Sequence, residues 1–435
     1  MEKIILIFLF SISKWQCLHN EVTDNGFLTT SAPDSMTSYL FGVRDNVGGI
    51  IFKTTNGGAN WQELQPWTID EVFLPFGSYF LNQNTGFITA EGLFWSILPV
   101  AKILKTTDGG NTWQTVYGGT LFEVGKLWED IFFLPSNTSL GWACGARGDI
   151  LKTTNGGSSW SIQTTDTLYP LKAIYFINSQ EGWCVGGDYD TITYEGINGV
   201  ILKTTNGGTT WTAIIDSAPF ELWDVHFIDN QKGIAVGYKN ATSYGLILKT
   251  YDGGNSWIET YGPPSNVGYY GLFGVEFVDN LRGFAVGGGN KYNSQGMHFG
   301  IFLKTEDGGN TWLIDTIMSD VNQPWGVAPL SLDMVSKNWG YAGGTRMSVF
   351  RYSPLSNVSE KNFTFNNMII QTIQKEKIQF PFKNFSEFKI FDISGRILNK
   401  GNGERLIYNP NKNGIYYVNV KNKDKEVKKK IILIK

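Results

Sequence analysis

Residues Ile201–Trp211 read Ile-Leu-Lys-Thr-Thr-Asn-Gly-Gly-Thr-Thr-Trp, and the phrase Lys-Thr-x-[Asn/Asp]-Gly-Gly-x-x-Trp occurs six times in the 435-residue chain. Its Asx and Trp positions are Asn56 and Trp61, Asp108 and Trp113, Asn155 and Trp160, Asn206 and Trp211, Asp252 and Trp257, and Asp307 and Trp312. Successive copies lie 46 to 55 residues apart. A repeat of that length means one supersecondary unit stacked many times. Before the glycines the residues are apolar or β-branched, which favours a pleated strand. Asx-Gly-Gly is turn chemistry, because Gly accepts positive φ and the Asx side chain can bond nearby backbone N–H groups. The Trp then opens the returning strand. Burying it removes about 150–250 Å² from water, an upper bound of about 4–6 kcal/mol, against ~1 kcal/mol for the Asx bond. The Trp is the anchor and the Asx is the brace.

Around each copy the same order returns. Asp130-Ile131-Phe132-Phe133-Leu134 is followed by Gly141-Trp142-Ala143-Cys144, then Ile150-Leu151-Lys152-Thr153, the turn, and a strand after Trp160. Equivalent runs start at Ala173, Asp224 and Gly274. Four short strands per unit at this period specify a blade of a β-propeller. Six complete units are visible. A seventh lies at Leu332–Val335, Gly340–Gly343 and Val349–Arg351 without its own turn or fourth strand. The sequence therefore predicts an all-β, seven-bladed propeller over residues 21–354, closed by a strand donated from Gly26–Thr30.

Residues 1–20 read as a secretory leader: charged Glu2 and Lys3, then an apolar run from Ile4 to Ile12 that is too short to span a bilayer. No other segment is apolar enough to cross a membrane. The three cysteines exclude a disulfide scaffold. Cys144 and Cys184 fall one place apart in equivalent strands, so they face opposite sides of their sheets and read as small buried apolar residues. From residue 355 to 435 the composition turns strongly basic, which marks a second domain. Its strands are expected at 387–393, 414–421 and 426–434, with turns at Ser394-Gly395 and 411–414.

Three resemblances follow from these residues. Thr106-x-Asp108-x-Gly110-x-Thr112-Trp113 and Thr305-x-Asp307-x-Gly309-x-Thr311-Trp312 resemble the Asp-box of sialidase-type propellers. Asn replaces Asp in three copies, which keeps the acceptor oxygen and removes the charge, so the box reads as structural. Gly233-Ile234-Ala235-Val236-Gly237 and Ile247-Leu248-Lys249-Thr250-Tyr251-Asp252-Gly253-Gly254 resemble the repeat of photosystem II assembly/stability-factor-like propellers. That resemblance covers nearly all of residues 40–350 and implies a non-catalytic binding scaffold; fold alone does not carry the function across. Finally, Ile390-Phe391-Asp392-Ile393-Ser394-Gly395-Arg396, Asn413-Gly414-Ile415-Tyr416-Tyr417-Val418 and Lys429-Lys430-Ile431-Ile432 look like the C-terminal sorting domain of the type IX secretion system. This implies a small β-sandwich over residues 355–435, a secretion machinery as partner, and a secreted or outer-surface location.

Propeller geometry assigns the faces. In an up-and-down blade the strand 1–2 and strand 3–4 turns share one face, and the strand 2–3 turns and the crossings between blades share the other. The strand 2–3 connections are tight at Gly145–Asp149 but inflated at Glu91–Lys102, Gly186–Gly199, Tyr238–Gly245 and Gly287–Gly300. Irregular loops on one face of a repeat scaffold are where function usually lives. The candidates for ligand binding there are Trp95, Tyr189, Tyr194, Tyr238, Tyr244, Tyr292 and Trp325, suited to a polysaccharide or a surface protein.

Catalytic chemistry is sparse. With three histidines and three cysteines no zinc constellation has the usual spacing, and the Gly-Gly pairs are turns, not phosphate loops. No cofactor or metal is implied. The propeller is acidic, which disfavours nucleic acid. His226, between Val225 and Phe227, reads as a satisfied structural histidine. A sialidase needs three arginines clamping a carboxylate; Arg44, Arg147, Arg282, Arg346 and Arg351 do not supply the family signature. The alternative to a binding scaffold is a glycoside hydrolase, sialidase-like or xyloglucan-cleaving-like, drawing its acid/base pair from Asp188, Asp190 and Glu195.

Overall fold

The computed structural model describes residues 13–19, 26–44, 48–67, 74–94, 98–120, 126–190, 195–240, 244–265, 268–290, 299–319, 327–354, 378–379, 385–392, 397–403, 407–408, 414–422 and 425–433. The chain divides into two compact units, Met1–Ser356 and Asn357–Lys435. The first contains seven four-stranded antiparallel sheets, the seven blades of a propeller. In blades 1 to 6 the strands follow chain order. Blade 3, for example, runs Trp128–Phe133, Gly141–Gly145, Ile150–Thr153 and Ser161–Gln163. Among the described residues no helix is long and apolar enough to cross a membrane.

The closing strand differs from the expected one. Gly26–Ser31 is the innermost strand of blade 1. Blade 7 is completed instead by Ser13–His19, which pairs antiparallel with Ser348–Pro354, Trp15 opposite Tyr352. Trp15 explains the choice. It is 2% exposed and packs on Phe302 and Tyr352, with ring centroids 4.6 and 5.5 Å apart. A leader reaching residue 20 would contain this strand. Cys17 lies in the same strand and is exposed.

The turns show why the phrase repeats. In blade 4 the Thr204 hydroxyl donates to Asn206 Oδ1 (3.0 Å) and accepts from Gly208 N–H (2.9 Å), while Asn206 Oδ1 also accepts from Thr210 N–H (2.9 Å). In the acidic copies the carboxylate accepts the partner hydroxyl, as Asp108 does from Thr112 at 2.6 Å. In Asn155 and Asn206 the amide donates to that hydroxyl instead, both at 2.8 Å. The hydrogen bond survives the exchange because a hydroxyl works in either direction. Gly207 and Gly208 hold φ of 68° and 90°. In five of the six phrases the lysine reaches into the next blade's turn: Lys53 donates to the Gly109 carbonyl (2.8 Å), Lys105 to Gly156 (2.9 Å), Lys152 to Gly207 (2.7 Å), Lys203 to Asn255 Oδ1 (2.9 Å) and Lys249 to the Asn310 carbonyl (3.0 Å).

Between successive blades from 1 to 5, the aromatic residue of one second strand stacks on that of the next first strand, and the Trp of the turn meets the latter edge-on. Trp142 lies 3.6 Å from Phe176 at 9°, and Phe176 lies 5.8 Å from Trp211 at 86°. Cys144 and Cys184, on opposite faces of their own sheets, meet in this same buried cluster between blades 3 and 4. The strand 2–3 connections are more regular than expected. Gly86–Phe94 stays paired with Leu98–Thr106 out to Phe94 opposite Leu98, and Gly182–Asp190 with Glu195–Thr204 out to Asp190 opposite Glu195. They are extended hairpins.

In the second unit, Phe385–Asp392, Ile397–Gly403, Gly414–Asn422 and Lys425–Leu433 form one sheet, and Ile378–Gln379 pairs with Ile407–Tyr408. The first strand of this sheet is central, flanked by the second and third.

Two outcomes test the architecture. Trp211→Ala should destabilise the propeller by about 3–5 kcal/mol, measured by denaturant unfolding. A chain starting at residue 20 should melt well below one starting at residue 13, because it leaves blade 7 without its outer strand and Phe302 and Tyr352 without Trp15.

Candidate functional site

The strand 2–3 face is best organised where blades 4 and 5 meet. The blade 4 hairpin carries Asp188, Tyr189 and Asp190 on one arm and Glu195 on the other. Asp190 is directly opposite Glu195 and Asp188 opposite Ile197, so alternation puts all three carboxylates on one face of the ribbon. Asp188 accepts the Tyr189 N–H (2.8 Å). Asp188 and Glu195 are exposed and Asp190 is half-buried. The hairpin is tied to blade 5: Gly196 N–H donates to the Lys239 carbonyl at 2.8 Å, and Glu195 bridges to Asn240. Tyr189, 37% exposed, faces Tyr238 across this junction with ring centroids 5.9 Å apart. Burial raises the Tyr238 hydroxyl pKa, and the charges of Glu195 and Glu221 add to it.

Residues that sequence reasoning passed over complete the site. Lys172, in the first strand of blade 4, pairs with Glu129 of blade 3 at 2.9 Å and lies 5.0 Å from the Trp223 ring of blade 5. Burial works against its ammonium, but Glu129, Glu221 and Asp188 together outweigh it and hold its pKa above the ordinary lysine value. Glu221 is 4% exposed, and burial pushes its carboxyl up to about 7 against the pull of Lys172. The structure thus brings Asp188, Tyr189, Glu195 and Tyr238 together with Lys172, Glu221 and Trp223. Tyr244 stands apart, packed on Tyr269 and Tyr270 (4.9 and 6.0 Å). Trp95, Tyr194, Tyr292 and Trp325 lie outside the described residues.

Lys172 and Glu129 also line a cavity of about 1080 Å³ on the propeller axis, walled by the first strands of all seven blades. Its polar groups link blades in sequence. Asp130 accepts from Ile131 N–H and from Ile174 N–H of the next blade (2.8 and 3.0 Å). Asp224 does the same with Val225 and Val275 (2.7 and 2.8 Å). Burial pushes the Asp130 carboxyl up to about 6 and the Asp224 carboxyl up to about 8. His226 is not the hydrogen-bonded structural residue expected. It faces the cavity, contacts the rings of Tyr175 and Phe277 (4.8 and 5.9 Å), and burial lowers its pKa to about 4. Among the described residues no group of three or more His, Cys, Asp or Glu is placed to hold a metal ion.

The fold defines a seven-bladed propeller with a small all-β C-terminal unit, and the comparisons with known proteins agree. The sequence model described as secretion system C-terminal sorting domain matches residues 372–435. Such a domain indicates export to the cell surface or extracellular space. The chain is similar to the chloroplast photosystem II stability/assembly factor HCF136 of Guillardia theta, 22% identical over 220 residues, 46% of this chain and 51% of that protein. It spans about half the length of that relative. Among solved structures, YCF48 bound to D1 peptide is 18% identical with a TM-score of 0.55, covering 78% of this chain and 96% of YCF48. The GH74 xyloglucanase of Xanthomonas campestris is 11% identical with a TM-score of 0.55, covering 79% of this chain and 54% of the enzyme. At these identities the structural likeness establishes the fold alone.

The axial carboxyls set a pH dependence. Their folded pKa values lie above the unfolded value of about 4, so the stability they contribute is full below that value and is lost as pH rises through about 6 for Asp130 and about 8 for Asp224. His226 acts oppositely, but only below about 6.5, where the unfolded chain takes up its proton. Between pH 6.5 and 8.5 the melting temperature should therefore fall. Asp224→Asn should flatten that fall, an effect on the order of 1–3 kcal/mol at the upper end.

Proposed function

We propose that this chain is an exported, non-catalytic binding propeller that holds a polypeptide partner against the strand 2–3 face at the junction of blades 4 and 5. Residues 355–435 serve the type IX secretion machinery in this reading, and the propeller is the delivered cargo. The observation that carries it is the Tyr189–Tyr238 pair on a hydrogen-bonded ledge between two blades, bordered by Asp188 and Glu195 and backed by Lys172 and Trp223. Tyr pairs give large contact area at low entropic cost. The surrounding carboxylates favour a segment that carries basic residues. YCF48, a propeller of the same fold, is itself seen with a peptide.

A second reading has one specific observation behind it. Asp190 and Glu195 stand directly opposite each other with Asp188 on the same face. Paired carboxylates are what a glycoside hydrolase needs, and a GH74 xyloglucanase shares the fold. Against it, Asp188 and Glu195 are exposed, whereas a general acid is normally kept protonated by burial.

The full chain should be screened against a panel of peptides and of bacterial, plant and animal polysaccharides, scoring bound protein and released reducing ends together. Peptide binding without sugar release is the expected result, weakened about tenfold or more by Tyr189→Ala or Tyr238→Ala. Release of sugar ends that disappears in the Asp188→Asn/Glu195→Gln double variant would replace this reading with the hydrolase.

A further inference from the structure

The axial cavity has an uneven wall. At one level of the first strands, going round the axis, stand Ser31, Tyr79, Phe132, Tyr175, His226, Glu276 and Asp333, one from each blade. Tyr79, Phe132, Tyr175 and His226 form an arc with successive ring centroids 5.6, 5.2 and 4.8 Å apart. Glu276 and Asp333 occupy the neighbouring arc. Glu276 Oε2 accepts the Met334 N–H (2.7 Å), and Asp333 Oδ2 accepts the Ala32 N–H (2.6 Å). The second oxygen of each carboxyl accepts nothing among the described residues, and neither the His226 imidazole nor the Tyr79 hydroxyl has a hydrogen-bond partner there. Asp130 and Asp224 differ, since both use both oxygens.

Bracing the blades does not require these acids. Ser31, at the equivalent position, accepts the Phe80 N–H of the next blade (2.9 Å) through a neutral hydroxyl. Putting a second carboxyl beside the first in a half-buried cavity wall costs free energy that a hydroxyl would avoid. The aromatic arc and the unpartnered imidazole face the same space. The cation lining the cavity, Lys172, belongs to another level and is held by Glu129.

We infer that the axial cavity is a binding site for an organic cation, its ammonium or guanidinium group held between Glu276 and Asp333 and lying against the Tyr79–Tyr175–His226 arc. The two oxygens without partners take the N–H donors, and the ring faces take the charge by cation–π attraction. Three metal ligands do not converge here, which favours a cation that donates hydrogen bonds over one that is coordinated. Burial, and for Glu276 the charge of Asp333, raises both carboxyl pKa values, so a cation held between them favours release of a proton from the pair. The cation comes either as a free amine or as a basic side chain of a bound segment.

Calorimetric titration of the full chain at pH 7.5 tests this, with agmatine, putrescine, the capped peptide acetyl-Gly-Arg-Gly-amide and calcium chloride as probes. Binding of at least one organic probe is expected, with proton release revealed by the dependence of the heat on buffer ionisation. Agmatine or putrescine alone points to a free amine, and the peptide alone to a side chain. Glu276→Gln and Asp333→Asn should each weaken binding tenfold or more while near-UV circular dichroism stays native; Gln keeps an acceptor for the Met334 N–H. Absence of binding by all organic probes overturns the inference, as does binding that both variants leave unchanged, or binding of calcium alone. Tyr189→Ala should leave the cation titration intact, so failure here and failure of the face reading are distinguishable.

Discussion

A four-stranded sheet has two apolar faces, and among the described residues of the propeller no α-helix covers them, so each blade is stable only against its neighbours. The contact that does this is the stack of a second-strand aromatic on the first-strand aromatic of the next blade, with the turn Trp at its edge. It recurs as Tyr39–Phe80–Trp113, Phe87–Phe133–Trp160, Trp142–Phe176–Trp211 and Trp183–Phe227–Trp257. Each ring pair adds about 0.5–1.5 kcal/mol beyond its buried area. Much of the repeat follows from making room for this stack. A Cβ on Gly182 would meet the Phe176 ring at 2.5 Å, and one on Gly254 would meet Trp183 at 2.3 Å. Glycine before the second-strand aromatic, and glycine second in the turn, are therefore packing requirements as much as turn chemistry.

That dependence explains why the fold was legible. The stack needs the same residue types at the same spacing wherever it is made, which is at four successive blade contacts, with Ile234 taking the second-strand place against Phe277 and Trp312 at the fifth, so it writes a period into the sequence. Where the period lapses, reading fails. Blade 7 lacks the turn, and its outer strand comes from the far end of the chain. Ser13–His19 follows directly on an apolar run resembling a leader, which hid the alternation that buries Trp15. Gly26–Ser31 does look like a strand and is one, but only the pairing partners show that it is innermost. The hairpin arms after Gly186 and Gly287 read as irregular loops in the sequence because their side chains do not alternate. Backbone pairing does not ask that of them.

The strand 2–3 face was half legible. Tyr189 and Tyr238 stood out because aromatic residues in polar insertions have no core to fill. Lys172, Glu221 and Trp223 did not, because each is flanked by apolar strand residues and reads as part of a blade. The same error placed His226. Alternation tells which side of a strand a residue takes, but the first strand of a blade lies on the axis, where a position that would elsewhere face a core opens into a cavity. The signal that could have found these residues is a charge inside an otherwise apolar first strand: Lys172, Asp224, Glu276 and Asp333.

Axis and perimeter obey opposite rules. Away from the axis, between one blade and the next, equivalent positions hold equivalent residues because stacking requires it. On the axis, the level of Ser31, Tyr79, Phe132, Tyr175, His226, Glu276 and Asp333 holds residues of many kinds, although the backbone around them keeps its seven-fold plan. Stability alone does not select that variety, since a hydroxyl such as that of Ser31 makes the same interblade bond as the carboxyls. In a molecule whose strength comes from repetition, the places where repetition is broken without any gain in packing are where chemistry directed at something other than the fold can reside. The axial carboxyls and the Tyr189–Tyr238 ledge are two such places, one on the axis and one on the face.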